Sequence, residues 1–333
     1  ADHSALKERL RAEQLELRER VVADCALGGR FPESELQVAA VDISFDKAEG
    51  VTGAVAFLIV VQLTPASFGG DGSGGSSGSG PATGYGDAAS KKRAKKRDRS
   101  LLGTTSAGDE LRFVYEDFVR NDDPDCTDCV NALPYLPGFL GFREVPLYVH
   151  LFDRLARRRE DDPTTYARVR PDVVLVDGNG TLHPVRFGVA CHLGVLIDLP
   201  AVGVAKNLHC VEGLTKEDVL AGLAAKEDPE KEGKEGGEPH GAAASDGTLP
   251  LVGRSGRTLG AAFLNPHVSK NLRLKKPVYV STGHRISLEA AVEIVRRTTL
   301  KDTRLSEPCR LADVRGRERV RELFDGKTAD GRE

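Results

Sequence analysis

Three carboxylates stand where a purely structural residue is uncommon: Asp42 within the apolar run 38–45, Glu144 in Gly-Phe-Arg-Glu-Val-Pro, and Asp177 closing Val-Val-Leu-Val. A carboxylate in apolar surroundings is costly unless it is paired or faces a cation. Each has an ordinary alternative, a cap or a turn, and for Asp177, followed by Gly-Asn-Gly, the turn competes seriously. Together they offer an all-oxygen donor set, which suits magnesium, with manganese as a substitute, better than zinc. A divalent cation held this way polarises a phosphate and activates a water.

Two further residues fit that chemistry. His284, in Ser-Thr-Gly-His-Arg-Ile-Ser at a strand-to-helix turn, could orient or deprotonate a water, or simply be a satisfied structural histidine. Lys206, just beyond Val-Gly-Val-Ala, could neutralise charge in a transition state, or merely lead a buried strand out to solvent. Cys126-Thr-Asp-Cys129 could be half of a zinc site, but no second pair follows at finger-like spacing, so these read as loop thiols.

These residues need a scaffold, and the whole chain bounds it. With 333 residues and two stretches unable to build a core, one domain over 1–333 is expected. A formal net charge of -3 supplies no global basic field, so any nucleic-acid contact must come from local clusters. The run 53–63 is too short to span a bilayer and 188–205 is interrupted by His192 and Asp198, so no membrane partner is expected. Six irregularly spaced Cys point to a reduced, intracellular chain, in cytoplasm or nucleus with the nucleolus included. The chain begins at Ala1 and contains no Met, so an initiator and an upstream segment are expected to be missing.

Along the chain, residues 4–30 carry Leu and Val at helical spacing among Glu and Arg. The runs 38–45 and 53–63 read as an antiparallel hairpin, and 111–118 as a third strand. Helical spacing over 145–159, a buried strand at 173–176, a helix at 187–196 and a strand at 200–205 alternate as α/β units do. Short strands at 258–264 and 278–281 and a helix at 287–298 capped by Ser287 complete a mixed sheet. Two stretches, 67–109 and 224–247, lack apolar periodicity and read as disordered insertions. The first contains the basic run 91–97, a nuclear-localisation signal, a phosphate-binding arm or a solvated linker.

Several motifs then appear together and in order: Val-Asp-Ile-Ser-Phe (41–45), Pro-Tyr-Leu-Pro-Gly-Phe-Leu-Gly-Phe-Arg-Glu-Val-Pro (134–146), Val-Asp-Gly-Asn-Gly (176–180), His183-Pro184, the run 186–194, Gly-Val-Ala-Lys (203–206) and Gly-His-Arg-Ile-Ser (283–287). In these the chain resembles the endonuclease V family, over about residues 5–67, 111–223 and 248–320. The resemblance implies a ribonuclease H-like α/β fold, a mixed sheet flanked by helices, in which Asp42, Glu144 and Asp177 share a divalent metal.

It further implies that Tyr135, braced by Pro134, Leu136 and Pro137, is a wedge beside a displaced base. Gly178 and Gly180 would let backbone read the flipped hypoxanthine, with Leu140 as an apolar wall, although structural turn glycines would look the same. Asp313 matches a family acidic position as a supporting residue. The family cuts the second phosphodiester bond 3′ to inosine. Bacterial members resemble DNA-repair enzymes and animal members prefer RNA. Gly-Asn-Gly and the run 187–196 look like the animal style, while Pro137 is shared with bacterial members.

The expected partner is therefore inosine-containing RNA or deoxyinosine-containing DNA, bound by a monomer. A non-catalytic inosine reader, and a scaffold acting through the basic run 91–97, are the other classes weighed.

Overall fold

The computed structural model describes residues 3–23, 34–46, 53–66, 100–105, 107–126, 133–227, 247–268 and 276–324. The chain opens with helix α1 (Ser4–Arg18), which ends before the expected residue 30. Beyond it, the backbone of Val22 accepts from the N–H of Arg285 and donates to the His284 ring, and these bonds replace helical ones.

Strands β1 (Leu36–Phe45) and β2 (Ala54–Thr64) form the long hairpin predicted from their apolar runs, with Asp42 opposite Phe57. Next come β3 (Leu101–Thr104) and β4 (Glu110–Arg120). The strand β3 lies inside the stretch read as an insertion, and Asp109 there is buried against Arg297 at 2.6 Å, so the far end of that stretch belongs to the domain. Its Gly/Ser and basic parts, 67–99, lie outside the described residues, as does 228–246 of the second stretch.

Helix α2 (Leu140–Asp161) starts earlier than its periodicity indicated and runs through Pro146. It is followed by α3 (Pro163–Tyr166), β5 (Val173–Val176), α4 (Val189–Ile197), β6 (Ala201–Ala205) and α5 (Lys216–Glu227). The last block holds β7 (Thr248–Val252), β8 (Thr258–Phe263), β9 (Val278–His284), α6 (Leu288–Arg297) and α7 (Glu307–Phe324). Ser287 caps α6 by accepting from the Ala290 N–H, as read from the sequence.

All nine strands join one mixed sheet in the order β3-β4-β2-β1-β5-β6-β9-β8-β7. Its centre, β4-β2-β1-β5-β6, has antiparallel pairing up to β1 and parallel pairing from β1 through β5 to β6. This is the ribonuclease H-like arrangement expected. Because the parallel strands are buried on both faces, their sequences are continuously apolar rather than alternating. One face carries Val38, Ala40, Leu175, Val202 and Val204 against residues of α6 and α7, and the other carries Ala39, Val41 and Val176 against residues of α2 and α4.

Candidate active site

The pleat decides which polar residues meet. Asp42 follows Val38 and Ala40 in two-residue steps, Asp177 follows Val173 and Leu175, and Lys206 follows Val202 and Val204, so all three leave the sheet on the face of α6 and α7. Val41 pairs with Val176, and Val176 with Gly203, which levels the three strand ends. Carboxyl ends of neighbouring parallel strands are where open α/β sheets place ligands. Helix α7 adds Asp313 from the same face, and α2 brings Glu144 over the strand ends from the other.

Lys206 ties this group together. Its Nζ lies 2.5 Å from Asp177 Oδ2 and 3.3 Å from Asp313 Oδ1. Burial opposes its charge, but Asp177, Asp42 and Asp313 outweigh that and raise its pKa. Arg304 fixes the backbone here, donating to the carbonyls of Lys206 (2.6 Å), Pro277 and Lys276 (both 3.0 Å).

Asp42 and Glu144, by contrast, are buried. Burial first, then the charges of Asp177 and Asp313, push Asp42 up to about 7 against the pull of Lys206. Burial, then Asp42 and Asp177, push Glu144 up to about 8. Four carboxylates are held near two paired cations, Lys206 and, on Asp313, Arg317 at 2.6 Å, which leaves them short of positive charge. Oxygen-only donors under mutual repulsion fit a hard divalent cation. Among the described residues, no three acidic, His or Cys side chains are arranged as a preformed cage, so the donor chemistry fits while their present rotamers are shared with Lys206.

Glu144 and Asp177 open onto a cavity of ≈ 600 Å³ of non-protein space, part of it solvent. Its walls include Leu140, Phe142, Glu144, Asp177, Gly178, Asn179, His183, Phe187 and His192. Burial holds His192 down at about 4, and burial with His209 and Arg11 does the same to His183, so both rings are neutral near pH 7. His192 packs against Phe142 and Phe187. Gln14 of α1 closes one side, donating to the carbonyls of Gly138 (3.1 Å) and Phe187 (2.9 Å). Away from Glu144 and Asp177, a mostly apolar wall with neutral histidines suits an uncharged group better than a charged one.

The expected binding residues separate. Leu140 and Gly178 line the cavity. Gly180 does not: its N–H donates to Ser281 Oγ at 2.9 Å, and a Cβ there would lie 2.1 Å from the Thr282 carbonyl, so it is a close-packing glycine. Tyr135 is 65% exposed between the exposed Pro134 and Pro137, whereas Leu136 is buried with Leu10 and Phe139 and anchors the loop from which the tyrosine projects.

His284 is not brought to the carboxylates. Strand β9 runs antiparallel to β6, so Tyr279 pairs with Ala205 near the site while His284 pairs with Ala201. Lys206 is five residues further along than Ala201, about 16 Å at roughly 3.3 Å per residue. The His284 ring instead accepts from the Val22 N–H at 3.2 Å and lies 3.3 Å from Asp198 Oδ1. Asp313, treated as a supporting position on sequence, stands inside the charge cluster. Only the packing of α7 against β1 could reveal that. Phe187 and His192, which stand within the motif 186–194, had been given no role, and Gln14 lies in no motif.

Cys126 is disulfide-bonded rather than the free loop thiol expected, with its partner outside the described residues; Cys191, Cys210 and Cys309 are free. No helix among the described residues is long and apolar enough to cross a membrane.

Comparison with known proteins places these features. The family model Endonuclease V matches residues 114–314. The chain is 45% identical over 218 residues to mouse endonuclease V, covering 64% of this chain and 52% of the relative. It is 43% identical over 192 residues to the human protein, covering 56% of each. It thus spans about half the length of these relatives. The crystal structure of the human endonuclease V catalytic domain superposes with a TM-score of 0.61 at 29% identity, covering 98% of this chain and 99% of that one.

Proposed function

The chain belongs to the endonuclease V family, and we propose that it is a divalent-metal-dependent endonuclease that recognises inosine and hydrolyses the second phosphodiester bond on its 3′ side in single-stranded RNA, leaving 5′-phosphate ends. The observation that carries this reading is the cluster Asp42, Glu144, Asp177 and Asp313 around Lys206, with Glu144 and Asp177 in the wall of a mostly apolar cavity.

A bound magnesium or manganese ion would supply Lewis-acid polarisation of the phosphate and activation of water. Asp42, Glu144 and Asp177 are the residues to hold it; burial and neighbouring carboxylates raise the pKa values of Asp42 and Glu144, the direction expected of ligands whose cation would offset that repulsion. Lys206 holds Asp177 in place and sets a positive charge where the phosphate gains negative charge. The cavity receives the displaced hypoxanthine between Leu140 and the Gly178 backbone, with neutral His183 and His192 in its wall. Tyr135, exposed and held by its buried neighbour Leu136, stacks in the gap the base leaves.

RNA is favoured by the animal-style motifs, Gly-Asn-Gly and the run 187–196. A deoxyinosine-specific DNA enzyme would use the same groups. The test is cleavage of matched single-stranded RNA and DNA oligonucleotides, with one inosine or none, in magnesium and in chelator. Magnesium- and inosine-dependent cutting, faster on RNA, is expected; faster cutting of DNA would transfer the assignment to repair. Binding without cutting of either, by folded protein, would leave a non-catalytic reader.

A further inference from the structure

Beyond Glu144 lies a second cavity, ≈ 680 Å³ with its open part, whose walls include Phe45, Tyr135, Leu140, Arg143 and Glu144. Leu140 and Glu144 belong to both cavities, so Glu144 stands on the ridge between them. Phe45 ends β1 three residues past Asp42 and is 37% exposed. The Arg143 guanidinium lies over its ring, 4.9 Å from the centroid.

Arg143 has no ion pair or hydrogen bond among the described residues, and its buried Nε is unpartnered. Arginines of α7 differ: Arg317 pairs with Asp313, and Arg310 with Glu307. A planar cation layered on an exposed aromatic ring, with donors free, is suited to a stacked base attached to a phosphate.

Resting on the nuclease reading above, we propose that Phe45 and Arg143 form a stacking shelf for the base of the nucleotide immediately 3′ to the inosine. The direction follows from the chemistry. With hypoxanthine in the first cavity, the base on its 3′ side is the one that meets the wedge Tyr135, and Tyr135 also lines the second cavity, so that base reaches Phe45 and Arg143. The enzyme then grips two successive bases, and the second phosphodiester, on the 3′ side of the stacked nucleotide, is the one left for the carboxylates.

The test compares inosine oligonucleotides that are intact or carry an abasic residue immediately 3′ to the inosine, reading kcat/KM and, in calcium without turnover, Kd. The wild-type protein is expected to lose about tenfold on the abasic strand, within the range for one stacked base. Phe45→Ala and Arg143→Gln should each lose about tenfold on the intact strand and show no further abasic penalty. Arg143→Lys keeps the charge beside Glu144 without the plane and should also lack the penalty. Thermal melts verify that each variant folds, and Arg143, whose side chain makes no hydrogen bond or ion pair here, is the safer of the two positions.

Equal handling of intact and abasic strands by the wild type, or full abasic penalties in both Phe45→Ala and Arg143→Gln, overturns the shelf while leaving the nuclease assignment standing. Absence of any inosine dependence on the intact strand overturns the assignment and the shelf with it.

Discussion

The ammonium of Lys206 sits 2.5 Å from the carboxylate of Asp177, although 28 residues separate them in the chain, because parallel neighbours β5 and β6 end side by side. That contact, extended to Asp313 at 3.3 Å, makes a single electrostatic unit of residues from three elements.

Removing a carboxylate should therefore separate chemistry from folding. Asp42→Ala and Asp177→Ala are expected to lower kcat by a factor of about 10³ or more, since ligand and activated water are lost together, with far-UV circular dichroism unchanged. Asp313→Asn should cost on the order of tenfold to a hundredfold in kcat, by loosening Lys206. Near-normal turnover in Asp42→Ala or Asp177→Ala would refute the site.

Metal-free protein should become less stable as pH rises. The folded-state values of Asp42 (about 7) and Glu144 (about 8) lie above the ordinary carboxylate range, so folding binds protons. Stability from this source is complete below about pH 4 and is lost progressively as pH rises through 7 and 8. Differential scanning fluorimetry from pH 5 to 8.5 should show a falling Tm in chelator, recovered by millimolar magnesium at the alkaline end. Asp42→Asn should raise the chelated Tm at pH 8 while abolishing activity. A chelated Tm independent of pH would contradict the charge shortage.

His284→Ala should behave as a stability variant. It removes the ring that accepts from Val22 and meets Asp198, a loss of about 1–3 kcal/mol. Its kcat should stay within about threefold of wild type at a temperature where both are folded. A hundredfold fall in kcat with unchanged Tm would restore the role first read from its sequence context.

Tyr135→Ala should weaken binding of inosine oligonucleotides by roughly tenfold, in KM more than in kcat, because one stacking surface is lost. Being 65% exposed, the residue should leave Tm unaltered. An equal loss on oligonucleotides without inosine would assign it to general strand binding.

The carboxylates Asp42, Glu144 and Asp177, and Lys206, were legible in the sequence, because a charged residue ending or interrupting a continuous apolar run is a local signal. So were most central strands, whose β-branched runs bury both faces. The order of motifs added the family. Helix α7 escaped notice because its apolar positions are diluted by arginines and glutamates, and with it the place of Asp313.

Strand direction is not written locally: β9 looks the same read either way until it pairs, and its antiparallel pairing with β6 carries His284 away from the carboxylates. Likewise a glycine's role depends on what approaches it, so Gly178 and Gly180, two residues apart, became cavity wall and packing contact only once β9 lay against them. Sequence determined which residues could do chemistry, because composition and periodicity act over neighbouring positions. Tertiary structure decided which of them meet, because pairing of distant segments sets every distance between them.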